Sequence, residues 1–352
     1  MAPAYGSSHR LGASSPWSML RPGPRSALPT LLSWLPLGPA DNPELAALVA
    51  RAEAVDNPPY RTSEVETAEY FADPVYSGVA GRDAEGVMRA FAIVRLRPST
   101  EIYASMSGIV DPGYRGRGIG QAIIHWQTEC AQHLIGVERV GRAQVSGGSF
   151  EPAHIVTGVL DDDTTWRGIL EGIGFTPRRW YREVRRPLDI DIPEIETDRF
   201  LTVEPWTPQI DDDVRRAHNA AFADAWGSQQ VSMAEWTQRR PYFEPSWSFV
   251  ALDRSGDRSR VAGYLISSRY EQDWEALGWT EGYTDILGVG AEYRHRRVAT
   301  ALLTAAMRAY RDSGMQYAGA GVDSENPTGA VGLYEALGYE PTRGTVLYGL
   351  DV

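Results

Sequence analysis

The sequence predicts two consecutive α/β domains of related structure. Its 352 residues, 43% of them hydrophobic, exceed the usual size of one core and suffice for two. Strand and helix patterns follow one another in the same order in each half. Two pairs of segments also match: YRGRGIG with YRHRRVA, and GILEGIGF with GLYEALGY. We expect domains at 34–190 and 198–352, joined by a linker at 191–197 and preceded by a disordered leader at 1–33.

In the first half, a short apolar strand at SWLPLG precedes a helix whose N-cap is Asp41. Strands are predicted over 86–96 and 101–110, and a glycine-rich turn then leads directly into a second helix. Apolar residues from Ile119 to Cys130 share one face of that helix. Cys130 is therefore predicted to lie in the core and not to act as a nucleophile.

The second half repeats this order from Leu201: a strand, a helix, three strands, a turn at YRHRR and a helix that carries Val298 and Leu302 on one side. The matched motifs lie about fifteen residues farther apart in the first half. We expect the insertion at 145–158.

Composition excludes several classes of function. The net charge is -12, and all 34 basic residues are Arg, so lysine Schiff-base and phosphate-loop lysine chemistry are excluded. An acidic chain does not favour nucleic acid or an anionic membrane as partner, whereas a small soluble substrate fits. One cysteine and no apolar run of transmembrane length indicate the cytoplasm. The six His residues show no metal-ligand spacing, so no metal is expected; monomer and homodimer stay open.

A strand that runs into R-x-x-G-x-G and a helix directs backbone N–H groups and a helix N-terminus at one point, which suits a pyrophosphate. The first half has the complete pattern at 115–120. A dinucleotide-binding turn would instead need G-x-G-x-x-G at the start of a βαβ unit and a suitably placed acid. In the second half, His295 and Arg297 replace two glycines. Two outcomes are open for Arg297: its side chain crowds the pyrophosphate, or it sits in the first helical turn in ordinary helical geometry and adds positive charge toward a phosphate. We expect the second.

The loop, together with the segment DSENPTGAVGLYEALGYEP at 323–341, resembles the GCN5-related N-acetyltransferase (GNAT) family. The family signature is R/Q-x-x-G-x-G/A, then an Asn, then an LY-E-x-x-G-F/Y helix. The resemblance covers nearly all of 201–352 and, more weakly, the first half. It implies a mixed, mostly antiparallel sheet flanked by helices in each domain, with acetyl-coenzyme A entering between the fourth and fifth strands.

The resemblance implies that the second domain moves acetyl from acetyl-coenzyme A to a primary amine of a small molecule. Tyr334 matches the family's general acid, whereas its counterpart Leu170 cannot donate a proton. The first domain is therefore expected to be non-catalytic. The implied coenzyme A contacts are Leu287, Gly288, Val289, Arg294, His295, Arg296, Arg297, Val298, Ala299, Thr300 and Asn326 in the second domain, and Ile109, Val110, Arg115, Gly116, Arg117, Gly118, Ile119 and Gly120 in the first.

Glu281 and Asp285 are the candidate bases, each acting through water; the alternative for either is a solvated residue at the end of the strand. Strand alternation places both on the same face as Leu287, but a bulge, for which this strand of the family is known, would swap the faces. Two other functions stay open: a non-catalytic acyl-coenzyme A sensor, and an acetyltransferase acting on protein N-termini or side chains. The acceptor has no motif in the sequence.

Overall fold

The computed structural model describes residues 28–73, 75–98, 101–146, 151–222, 230–238, 240–325 and 329–352. These residues form two compact units. The N-terminal unit holds the described residues up to 159, together with 163–178 and 347–352. The C-terminal unit holds 160–162 and the described part of 179–346.

The elements of the first half follow in chain order: β1 (Ser33–Pro36), α1 (Asn42–Asp56), α2 (Glu64–Ala68), β2 (Tyr76–Arg82), β3 (Met88–Pro98), β4 (Ile102–Val110), α3 (Ile119–Ser146), β5 (Ala153–Leu160), α4 (Thr164–Gly172) and β6 (Thr176–Pro187). Strands β1 to β4 are antiparallel neighbours in sequence order, and β5 pairs in parallel with β4. This mixed sheet with flanking helices confirms the predicted fold class.

The second half continues with β7 (Leu201–Pro205), α5 (Asp211–Ala221), α6 (Met233–Gln238), β8 (Phe249–Asp253), β9 (Arg260–Ser268), α7 (Trp274–Leu277), β10 (Glu281–Val289), α8 (Val298–Asp312), β11 (Tyr317–Asp323), α9 (Ala330–Ala336) and β12 (Glu340–Asp351). The strand order in the C-terminal unit is β7-β8-β9-β10-β11-β6-β12. Only β10 and β11 are parallel among the pairs with a described register.

Helix α8 supplies the largest share of the C-terminal core. Its apolar residues recur every three or four positions, so Leu302, Ala306 and Tyr310 lie on one stripe and are fully buried. The helix packs on β8, β9 and β10. None of the helices in the described ranges has the length and apolar character needed to cross a membrane.

The predicted insertion lies elsewhere than expected. Helix α3 has 28 residues, whereas its counterpart α8 has 15. The extra residues therefore mostly extend a helix up to Ser146 and do not form a loop at 145–158, of which 147–150 lie outside the described residues. An amphipathic pattern continues smoothly into a longer helix, so periodicity did not reveal the boundary.

Parts of two strands belong to the unit that the other half of the chain mainly forms. Residues 179–187 of β6 belong to the C-terminal unit, where they pair with β11 from Tyr317↔Pro187 to Asp323↔Tyr181. Residues 347–352 belong to the N-terminal unit, where the Val352 N–H donates to the Ala153 carbonyl at 3.0 Å. The units are thus not contiguous in sequence, unlike the predicted 34–190 and 198–352.

A fragment of residues 198–352 should be less stable than one of 176–352. Without β6, β11 loses an antiparallel partner, and the core loses Val184 and Leu188, which are 6% and 2% exposed. Burial of two such side chains contributes about 3 kcal/mol or more. Urea unfolding followed by circular dichroism measures the difference, and equal midpoints for the two fragments would contradict it.

Candidate functional site

The sheet of the C-terminal unit opens between β10 and β11. The two strands pair only from Glu281 to Thr284 on β10 and from Tyr317 to Ala320 on β11. β10 continues to Val289, so the described ladder leaves its second half unpaired on the β11 side. Backbone N–H and C=O groups along this edge are free to bind a ligand.

A bulge in β10 lies where the opening begins. The register with β9 runs from Thr284↔Ser267 directly to Ile286↔Ile266, so Asp285 is the extra residue. Before the bulge, the Thr284 hydroxyl bonds the Tyr310 hydroxyl of α8 at 3.0 Å. After it, Leu287 packs against the α8 core, and Ile286 packs on the opposite cluster.

The bulge therefore swaps the faces, as one of the two sequence-based alternatives allowed. Glu281 lies on the face opposite Thr284, whereas Leu287 lies on the face that Thr284 occupies. Simple alternation, which put Glu281 and Leu287 together, is wrong for this strand.

Asp285 is enclosed by hydroxyl groups. The Tyr270 hydroxyl donates to its carboxylate at 3.0 Å, and the Ser268 hydroxyl donates to the other oxygen. Burial raises the pKa of Asp285 to about 6, although the two hydrogen bonds act to lower it. A carboxyl group with this pKa is ionised at neutral pH and remains basic enough to accept a proton.

Glu281 is held differently. Arg185 donates from Nε to its carboxylate at 2.8 Å, and the Trp279 indole donates to the same oxygen at 3.1 Å. The Arg185 guanidinium also stacks over the Trp279 ring, 4.1 Å from the ring centre. Glu281 is therefore one partner of a fixed ion pair.

Tyr334 lies in the α8 core with 5% of its surface exposed and packs edge-on against Tyr339, with ring centres 5.1 Å apart. Burial raises its pKa, which keeps the hydroxyl protonated at neutral pH. No described residue forms a hydrogen bond with that hydroxyl. Leu170 occupies the matching place in the N-terminal unit, since both residues accept the same helix-ending bond, from Phe175 and from Tyr339 respectively, at 3.0 Å.

The turn before α8 has the backbone of a glycine loop without the glycines. His295 and Arg297 both have φ of 61°, and Gly116 and Gly118 in the first half have 72° and 77°. The expectation of ordinary helical geometry for Arg297 is wrong, because α8 begins one residue later, at Val298. A left-handed non-glycine residue costs about 1 kcal/mol, so the fold retains this turn despite its sequence.

The two loops differ in charge. Arg115 forms a fork with both carboxylate oxygens of Asp56, at 2.5 and 2.7 Å. In the C-terminal loop only Arg296 is paired, with Asp198 at 3.1 Å. Arg294 and Arg297 are exposed and form no ion pair within the described ranges. Ala299 and Thr300 follow in the first turn of α8, and Asn326 lies outside the described residues.

The N-terminal unit lacks the other features of the site. Its β4 opens from β5 after Ser105, but the register of β3 with β4 is unbroken from Ala90↔Val110 to Pro98↔Ile102. The positions that match Glu281 and Asp285 hold Ile102 and Met106, both buried. This unit thus combines an intact glycine loop with a strand that carries no carboxylate.

An opened parallel strand pair, a bulge and a loop leading into a helix define an acyltransferase of the GNAT type. A model of the acetyltransferase (GNAT) family matches residues 211–339. The mycothiol acetyltransferase of Thermobispora bispora is 30% identical over 68% of this chain and 72% of its own length. The chain belongs to the GNAT acetyltransferase family and is an acyltransferase.

Within the family, the chain is similar to several mycothiol acetyltransferases. The mycothiol acetyltransferase of Salinispora tropica is 28% identical over 77% of this chain and 81% of its own length. The crystal structure of a GCN5-related N-acetyltransferase from Sphaerobacter thermophilus superimposes with a TM-score of 0.67 at 22% identity, covering 92% of this chain and 96% of that one. The last likeness shows a shared fold.

Replacing Asp285 with Asn should stabilise the protein at alkaline pH. Because folding raises the carboxyl pKa to about 6, its contribution to stability is greatest below about pH 4 and is lost as pH rises through about 6. The variant escapes that loss, a gain of about 2 kcal/mol at pH 8 relative to pH 4. Urea unfolding at both pH values measures it. Asp312→Asn, at a side chain that is 76% exposed, serves as control; an identical pH response in both variants would contradict the assignment.

Proposed function

We propose that the C-terminal unit transfers the acetyl group of acetyl-coenzyme A to a primary amine of a small molecule. The observation that supports this most is Asp285 at the β10 bulge, beside an unpaired strand edge and with a pKa of about 6. A base of this strength at the start of the opening is what transfer to an amine requires, because the attacking amine has to lose a proton.

Coenzyme A would bind by backbone contacts. The free edge at Leu287, Gly288 and Val289 offers hydrogen bonds to the extended arm of the cofactor. The turn with left-handed residues 295 and 297 leads into the N-terminus of α8, whose first N–H groups would receive a phosphate, and the free Arg294 and Arg297 would supply positive charge.

The reaction forms a C–N bond and breaks the thioester C–S bond. Asp285, directly or through water, takes the proton of the attacking amine, and backbone N–H groups of the open edge stabilise the oxyanion. Tyr334 donates its hydroxyl proton toward the departing thiolate. Glu281 is assigned to holding Arg185 and not to proton transfer, since Arg185 and Trp279 both bond one oxygen of its carboxylate and fix it in place.

The relatives suggest the class of acceptor. Their name, mycothiol acetyltransferase, supports an amine of the mycothiol type as acceptor. The N-terminal unit lacks the bulge, the carboxylates and the tyrosine, so we assign it no catalysis. With one cysteine in the chain, we propose the cytoplasm as its location.

Tyr334→Phe should lower kcat about 100-fold or more while leaving the KM for acetyl-coenzyme A nearly unchanged, because the hydroxyl acts only on the leaving group. Release of coenzyme A thiol from acetyl-coenzyme A in the presence of an amine panel measures this. Tyr339→Phe is a matched control, since the Tyr339 hydroxyl is buried without a partner among the described residues. Equal kcat in wild type and Tyr334→Phe would refute the assignment. If the wild-type protein turns over no amine of the panel, the alternative function, a non-catalytic acyl-coenzyme A sensor, is favoured.

The acetylation rate should rise with pH through about 6, because Asp285 acts as base only when ionised. Asp285→Asn should lose this rise in rate near pH 6, together with most of its activity. Glu281→Gln should retain the rise. The measurement is kcat/KM against pH for the three proteins. A rise near pH 6 that persists in Asp285→Asn would assign it to another group.

A further inference from the structure

A polar patch lies on one face of the N-terminal sheet. Arg95 on β3 stands directly opposite Tyr76 on β2 and Ser105 on β4, so the three side chains share a face. Ser107 is next along β4 on that face, opposite Ile93. Ile93 packs on α1, so this is the α1 face of the sheet, and both serines remain half-buried.

Arg95 is buried without hydrogen bonds. Its side chain is 14% exposed, and its guanidinium lies over the Tyr70 ring, 5.0 Å from the ring centre. Its Nε has no partner, and its other nitrogens donate to no residue in the described ranges. The nearest carboxylate oxygen, on Asp73, is 4.0 Å away and is only 3.3 Å from Arg97.

Two other buried arginines, Arg186 and Arg240, each donate three hydrogen bonds, although Nη1 of Arg240 has no partner among the described residues. Arg186 donates to three backbone carbonyls, at 2.6 to 2.9 Å. Arg240 donates to the Trp236 carbonyl at 2.7 Å and to both oxygens of Asp211 at 3.0 and 3.1 Å. A buried charge without such bonds is costly to the fold, so Arg95 does not serve the fold in the way that Arg186 and Arg240 do.

We propose that Arg95 anchors a binding site in the N-terminal unit for the carboxylate group of a small organic acid. A carboxylate accepts two parallel N–H bonds from a guanidinium, and the stacked Tyr70 ring leaves the edge of the Arg95 guanidinium free for them. The Ser105 hydroxyl donates to the Arg95 carbonyl at 3.4 Å and Ser107 bonds Tyr70, so the two serines line the patch while the Arg95 guanidinium supplies the donors. Asp73 and the nearby Glu69 favour a single negative charge over a doubly charged phosphate.

The site goes beyond the proposed acetyl transfer, because it needs neither Asp285 nor Tyr334. It assigns the N-terminal unit a ligand chemically different from coenzyme A. Burial and then the charge of Arg97 lower the pKa of Arg95, and a bound carboxylate would offset both effects.

The test uses the full chain, with acetate and benzoate as probes against chloride at equal ionic strength. Wild type should melt at a higher temperature in the carboxylates than in chloride. Arg95→Met should melt at or above the wild-type temperature in chloride, since it removes a buried charge that makes no hydrogen bond and has its nearest carboxylate oxygen at 4.0 Å, and it should not respond to carboxylate. Arg216→Met, which removes an exposed cation from the other unit, should respond as wild type does.

Calorimetric titration of benzoate should show binding about 10- to 100-fold weaker in Arg95→Lys. Lysine keeps the positive charge but cannot donate the two parallel N–H bonds of a guanidinium. Three results would overturn the proposal: no carboxylate response in wild type, a full response in Arg95→Met, or a response to phosphate alone. If Arg95→Met does not fold, a loss of stability in chloride for Arg95→Lys would show a structural role instead, and an unchanged melting temperature with weakened binding would support the site.

Discussion

The hydrogen bonds from Ser268 and Tyr270 to Asp285 hold the extra residue of β10 in place, and the geometry of the C-terminal unit depends on that residue. One inserted residue reverses which side chains face α8. It also coincides with the end of pairing to β11, so the strand edge becomes free where a carboxyl group of raised pKa stands. The opening of the sheet, the position of the Asp285 base and the packing of Leu287 on α8 therefore all depend on the bulge in β10.

The two units carry complementary features of the site. The N-terminal loop has glycines where left-handed backbone is required, but the strand before it is regular and has no carboxylate. The C-terminal loop reaches the same backbone with His295 and Arg297, and the strand before it has the bulge. Because the C-terminal turn persists without glycine, the surrounding structure determines it more strongly than local preference does.

The order of elements, the fold class and the motif around Tyr334 could be read from the sequence, because each depends on local periodicity or on a contiguous motif. The bulge could only be offered as an alternative, since EGYTDILGV alternates equally well with or without it. Nothing local distinguishes Arg95 from other strand arginines, because its lack of acceptors depends on β2, β4 and the segment with Tyr70. The placement of β6 and of 347–352 depends likewise on pairings between residues far apart in the chain.

The position of residues 347–352 limits when the N-terminal unit can be completed during synthesis. The N-terminal unit is translated first, yet residues 347–352 belong to it and Val352 bonds the Ala153 backbone. Its sheet therefore stays incomplete until residues 347–352 have been synthesised and have left the exit tunnel. A truncation before residue 347 would consequently harm the unit whose other residues are mostly made first.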